Sequence, residues 1–306
     1  MNVRELAKGL RFPEGPIALP GGDVLLVEIA RGTLTRVALD GTVSVVANLG
    51  GGPNGAAIGP DGACYVCNNG GFVWHERGDR LFPGEEPPDY SGGRIERVDL
   101  ETGVTSVLYD ACDGVPLRGP NDLVFDGEGG FWFTDHGKHG ARVRDRTGVF
   151  YARADGSHIE EVIHPLEGPN GVGLSPDGGT LYVAETLTGR CWAWELAGPG
   201  RLKRERRDRP DGGRLLPAPP GYLLYDSLAV DSEGRVCVAT LVQGGITVID
   251  PAAWTAELRR FDDVLTTNIC FGGPDMRTAY ITLSTTGRLV ALPWDVAGLP
   301  LPHLND

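Results

Sequence analysis

The sequence holds no uninterrupted apolar run near the ~18 residues a membrane-crossing helix needs. Its first ten residues, MNVRELAKGL, contain no apolar stretch of signal-peptide length. A cytoplasmic protein with no membrane partner is the expectation. Cations are in deficit, 28 Lys and Arg against 41 Asp and Glu, for a net charge of −13. Nucleic-acid binding through a basic face is therefore not expected, because neutralising phosphates needs clustered cations. Gly-x-Ser-x-Gly elbows, Walker-type loops and dinucleotide fingerprints are all missing, which disfavours serine hydrolases and nucleotide-dependent enzymes. There are six cysteines, Cys64, Cys67, Cys112, Cys191, Cys237 and Cys270, several of them inside apolar strand-like runs. They read as buried, reduced thiols. Cys64 and Cys67 form a CxxC, but no second pair or paired His follows, so a structural zinc site is not expected.

Glycine is abundant. There are 46 Gly and 23 Pro in 306 residues. Long helices do not tolerate that load of breakers, whereas many short strands joined by tight turns do. With 41% hydrophobic residues the chain can also fill a core.

One pattern recurs six times: a polar residue, a short apolar run, a turn with Gly or an acid, then a second strand-like run. The copies read EGPIALPGGDVLLVE from Glu14, NGAAIGPDGACYVCN from Asn54, NDLVFDGEGGFWFTD from Asn121, NGVGLSPDGGTLYVAE from Asn170, DSLAVDSEGRVCVAT from Asp226 and NICFGGPDMRTAYITLS from Asn268. Seven residues after each leading position stand Gly21, Asp61, Glu128, Asp177, Glu233 and Asp275. Such pairs of β-rich runs across PDG or GEGG turns are hairpins. Repeats of 40 to 67 residues, with further strand candidates between them, match four-stranded propeller blades. The expectation is an all-β, six-bladed β-propeller with four antiparallel strands per blade, forming one domain over residues 1–306. Two segments interrupt the period. Residues 72–93 read as a loop whose Phe72, Trp74 and Tyr90 either cap a site or pack on their own blade. Residues 199–220, basic and then Pro-rich, read as a solvated connector.

The first strand of each propeller blade lines the central channel. Glu14, Asn54, Asn121, Asn170, Asp226 and Asn268 should then meet at one depth. Carboxylates gathered on an axis repel one another and lose hydration, and a divalent cation relieves both penalties. Carboxylate and amide oxygens suit Ca2+ best, although Zn2+, Mn2+ and Mg2+ are also accepted by such shells. For any single Asn, bonding to backbone at a strand start is the ordinary role.

These same motifs, FPEGP, GPND…GGFWFTD, GPNGVGLSPDGGTLYVAET, DSLAVDSEG and TNICFGGPDMRTAYIT, resemble the senescence-marker protein/gluconolactonase (regucalcin-like) family. That family includes calcium-dependent lactonases and diisopropylfluorophosphatase. The resemblance implies metal ligation by Glu14, Asn170 and Asp226, with Asn121 added by the PND…FTD pattern. Asp211 in RPDGG is a competing candidate for the acidic ligand, but Asp226 is preferred because Glu233, Gly234 and Thr240 follow it in the repeat register. The resemblance also implies a small-molecule lactone as substrate. Where sugar lactonases often carry an Arg, this chain has Gly119.

The expected chemistry is opening of a lactone to a hydroxy acid. Asp226 would act as base or nucleophile, and Asn54, Asn268 and His136 would contact substrate. His139 is a weaker candidate, and Asp135 is either a channel acid or a turn cap. The alternatives are an organophosphorus ester hydrolase on the same site and a non-catalytic calcium- or partner-binding propeller.

Overall fold

The computed structural model describes residues 3–305. Met1, Asn2 and Asp306, which the one-domain expectation also spans, lie outside them. Six antiparallel sheets follow one another along the chain. Their innermost strands are Pro13–Ala18, Pro53–Ile58, Pro120–Phe125, Pro169–Leu174, Leu224–Val230 and Thr266–Gly272, and these begin blades 1 to 6. Each pairs with the next strand in sequence through the hairpin that the turn signals announced. Val24–Glu28 and Gly130–Asp135 are the partners in blades 1 and 3. The molecule is a six-bladed β-propeller.

Large side chains fill the spaces between adjacent blades. Tyr65 of blade 2 meets Phe125 of blade 3 edge-on at 5.1 Å, beside buried Phe131 and Phe133. Trp132 of blade 3 shares a core with Trp192 and Trp194 of blade 4. Strand alternation sends one face of each sheet into one interface and the other face into the next, so both faces are apolar. The CxxC illustrates this. Cys64 packs in the interface with blade 1 and Cys67 in the interface with blade 3, so they lie on opposite faces as free thiols.

Two segments differ from the sequence expectation, and one strand has no expectation attached to it. The outermost strand of blade 6 is Arg4–Ala7, paired antiparallel with Arg288–Pro293, so the chain's beginning and end complete one sheet. Residues 72–93 are not wholly a loop: Trp74–Arg77 and Arg80–Pro83 form a small hairpin. Residues 199–220 are not wholly a connector either. Arg201–Leu202 and Arg214–Leu215 both pair with Arg190–Gly198 and together form the outer edge of blade 4.

Each inner strand carries an irregularity near its leading polar residue, as between Glu14 and Ile17, Pro120 and Leu123, and Pro169 and Val172. A bulge re-aims side chains, here toward the axis. Adjacent inner strands nearly touch there. A Cβ on Gly15, whose φ is +51°, would stand 2.6 Å from the Asn54 carbonyl oxygen, and one on Gly55 would stand 2.5 Å from that of Asn121. Only glycine fits between them. A cavity of about 640 Å³ is lined by Ile58, Phe125, Val230 and Phe271 of the blades, with residues 299–302 and Leu304 also in its wall. Among the described residues no helix is long and apolar enough to cross a membrane.

Candidate functional site

Where the inner strands begin, the side chains turn polar. Glu14 is buried; its Oε2 accepts the Gly15 backbone N–H at 2.7 Å and the Asn268 Nδ2–H at 2.7 Å. The residues of blades 1 and 6 thus meet although they lie 254 positions apart. Burial pushes the Glu14 carboxyl up to about 7, against the pull of those hydrogen bonds. Asp226 is pushed well above the carboxylate range by burial and then by the charge of Glu14, while neighbouring Asn170 pulls the other way. Asn170 donates from Nδ2 to Thr186 Oγ1 at 3.0 Å and accepts at Oδ1 from Ser227 Oγ at 3.3 Å. Asn121 is buried, and its Oδ1 has no hydrogen-bond partner. Asn54 is buried, with its carbonyl against Gly15.

A third acid, absent from the sequence-based set, joins them. Asp122 is buried and pushed up to about 8, by burial first and by Glu14 second. A signal for it was present. The residues following the six leading positions are Gly15, Gly55, Asp122, Gly171, Ser227 and Ile269, and Asp122 alone among them is ionisable.

These residues suit a divalent cation. Burial raises the proton affinity of all three carboxyl groups and the Glu14 charge adds to it at Asp122 and Asp226, which is the state a cation would relieve, and the buried Asn121 oxygen is orphaned. Among the described residues no cluster of three His, Cys, Asp or Glu side chains is close enough to hold a metal alone. Amide oxygens from Asn121 and Asn170 would have to complete the shell.

Asp135 is a turn cap. Its carboxylate accepts the backbone N–H groups of Arg118, Gly119 and Gly137 at 2.7–2.8 Å. The equivalent residues of other blades act alike on the segment leading into their own inner strand: Glu28 accepts from Arg11 N–H, Asn68 from Gly52 N–H and Glu185 from Glu167 N–H. In these four blades the residue that ends the hairpin therefore fixes the approach to the pore. Asp211 sits on the outer edge of blade 4, bound to Arg209 and Trp194 Nε1, and takes no part in the ring. Arg118, beside Gly119, is committed to Glu86 at 2.6 Å and Asp145 at 2.8 Å.

The mouth is walled by the loops that follow the second strands of blades 2 and 3. Lys138 joins them. This buried lysine donates from Nζ to Asn69 Oδ1 at 3.0 Å and to the Gly71 carbonyl at 2.6 Å, and it lies over the Phe72 ring at 3.9 Å. Tyr90 donates its hydroxyl to the Arg118 carbonyl. Phe72 and Tyr90 thus pack across to blade 3, while Trp74 packs on Phe12 of blade 1 at 5.1 Å. His136 lies at the start of the blade 3 loop, its Nε2 about 3 Å from the point a Cβ on Gly168 would occupy. Burial, followed by the Arg144 charge, holds its imidazole down to about 4, so it is neutral. His139 is half-buried and is held below its ordinary value by burial.

Residues 12–285 match the pattern that defines the SMP-30/Gluconolactonase/LRE-like region. A gluconolactonase of Zymomonas mobilis is 26% identical over 279 residues, covering 81% of this chain and 69% of the relative. The lactonase drp35 of Staphylococcus saprophyticus is 30% identical over 235 residues, 75% of this chain and 63% of the relative. Among solved structures, a gluconolactonase from Xanthomonas campestris superposes with a TM-score of 0.73 at 22% identity, over 95% of this chain and 89% of that one. The calcium-binding protein regucalcin from Agrobacterium tumefaciens does so at 0.74 and 18%, over 96% and 94%. The structural likenesses establish the shared propeller.

Proposed function

The chain belongs to the SMP-30/gluconolactonase/LRE-like family, and from that premise we propose that it is a divalent-cation-dependent lactonase that opens a lactone ring to a hydroxy acid. The observation that carries this reading is the pore itself: burial destabilises Glu14, Asp122 and Asp226 as anions, the Glu14 charge adds to this at the two Asp residues, and the buried Asn121 oxygen has no hydrogen-bond partner. Glu14, Asn121, Asn170 and Asp226 would hold the ion, with Ca2+ as the first candidate. A cation bound there supplies a Lewis acid for the lactone carbonyl.

The chain's own groups do the rest. Asp226 takes a proton from the attacking water at its carboxylate. The water oxygen bonds to the carbonyl carbon, the ring C–O bond breaks, and the ring oxygen takes up a proton to leave as the hydroxyl of the product. Asp122, against the same pore, is the second carboxyl able to exchange that proton. Asn54, Asn268 and neutral His136 orient the substrate by hydrogen bonds. The Asn268–Glu14 bond fixes the Glu14 carboxylate, so Asn268 also acts by positioning.

The test is turnover of sugar, aliphatic and aromatic lactones, with a phosphotriester alongside, by chelated protein with Ca2+, Mn2+, Mg2+ or Zn2+ restored in turn. Lactone hydrolysis that vanishes on chelation and returns with one ion is the expected result. Phosphotriester turnover alone would favour the organophosphorus reading. No turnover, with calcium binding intact, would favour a non-catalytic propeller.

A further inference from the structure

The loop rising from blade 3 reads KHGARVRDR over residues 138–146. It places four cations, Lys138, Arg142, Arg144 and Arg146, against one acid in a chain of net charge −13. It leaves the mouth end of Gly130–Asp135, where Asp135 pairs with Pro120 next to Asn121. A basic lip over the pore of an acidic molecule focuses the local field and draws anions to that point.

Two of these four cations are engaged, and Arg142 is exposed to solvent. Lys138 is buried against Asn69 and Gly71, and Arg146 pairs with Glu167 at 2.8 Å. Arg144 is different. It is half-buried, and its guanidinium makes no hydrogen bond or ion pair among the described residues, although Nη1 is sealed from solvent. Its two acidic neighbours are committed elsewhere: Glu167 to Arg146, and Asp145 to Arg118 and the Lys138 backbone N–H. A half-buried guanidinium with an unmatched N–H carries an unmet desolvation cost. The planar fork fits a carboxylate in two parallel bonds, which an ammonium cannot reproduce. Arg144 pairs through its backbone with His139 across the loop, its charge acts on His136, and His136 adjoins Gly168, two residues before Asn170.

We propose that Arg144 is a specificity residue at the rim of the pore and that the lactone this protein opens carries a carboxylate, which seats on the Arg144 guanidinium beside His136. The substrate class so named rests on the lactonase reading of the pore.

The test uses the full chain loaded with Ca2+ and two γ-lactones that differ only in charge, 5-oxotetrahydrofuran-2-carboxylate and its primary amide. In the unsubstituted protein kcat/KM should favour the acid by about 30-fold or more. Arg144→Gln should raise KM for the acid by about 10- to 100-fold and move the amide by less than about threefold, with Arg144→Lys recovering part of the loss. Raising salt from about 0.05 to 0.5 M should weaken the acid's advantage, and do so less in Arg144→Gln. Equal use of acid and amide by the unsubstituted protein, or an equal loss for both in Arg144→Gln, overturns the proposal. Hydrolysis of neither lactone, nor of the wider panel, defeats the lactonase reading instead. Calorimetric binding of 2-hydroxyglutarate then decides the anion site alone. Binding that weakens by about tenfold or more in Arg144→Gln sustains it, and binding that is absent or indifferent to the substitution overturns it.

Discussion

Glu14, Asp122 and Asp226 share one pore, and the protons they keep set how the chelated protein responds to pH. Free carboxyls ionise near 4, whereas folded Glu14 and Asp122 hold protons to about 7 and about 8. Between those limits these carboxyls bind more protons in the folded than in the unfolded state and outnumber the opposing contribution of His136 between about 4 and 6.5, so stability falls as pH rises. In the presence of chelator, Tm should decline from about pH 4 to about pH 8, as scanning calorimetry would show; a flat or rising trend contradicts the proposed pore. Calcium needs the ionised groups, so its addition should raise Tm more at pH 8 than at pH 5. Asp226→Asn should lower kcat by about 10³-fold or more and shrink that calcium-induced shift. Asp122→Asn should lower kcat by about 10²-fold while the calcium shift survives, because Asp122 is outside the proposed ligand set. Steady-state kinetics beside melting curves separates the two roles. Asp226 was legible because it leads a repeat. Asp122 was visible only as an ionisable residue at a position otherwise held by Gly, Ser and Ile, and its meaning came from seeing what that position faces.

At the scale of strands and loops, the pore depends on backbone contact between blades. A Cβ on Gly171 would stand 2.6 Å from Leu228 N and 2.8 Å from the Asp226 carbonyl oxygen. Gly171→Ala should therefore cost about 2–4 kcal/mol, read from urea midpoints, and should depress activity by displacing Asp226 from Asn170. The mouth loops depend on Lys138 in the same way. Lys138→Met keeps the apolar stem against Phe72 but removes two donors, so stability should fall by about 2 kcal/mol and residues 72–93 should become easier to cleave in limited proteolysis. Unchanged cleavage would show that the two loops hold without the lysine. The turn composition of 72–93 and 199–220 concealed their short strands, since two- to four-residue pairings leave no periodicity to read. Asp135 gave an ambiguous signal for a related reason: a carboxylate at a strand end serves a turn or a pore equally well until its donors are seen.

The whole ring closes through one strand. Arg4–Ala7 is the outer edge of blade 6, and without it Arg288–Pro293 would present an unpaired edge. A chain starting after Ala7 should melt about 5 °C or more below the full chain and should self-associate on size-exclusion chromatography. Equal melting of both forms would mean that packing between blades closes the ring without the strand. The sequence by itself determined the repeat, hence the number of blades, the hairpins and the six leading positions, because strand alternation and turn chemistry are local and recur in each copy. Tertiary structure alone decided which polar residues share charge, which are spent holding backbone, and which cation at the rim is half-buried without a hydrogen-bond or ion-pair partner. Those properties arise between residues as distant as Glu14 and Asn268, and burial and electrostatic coupling take values only once the ring has brought such residues together.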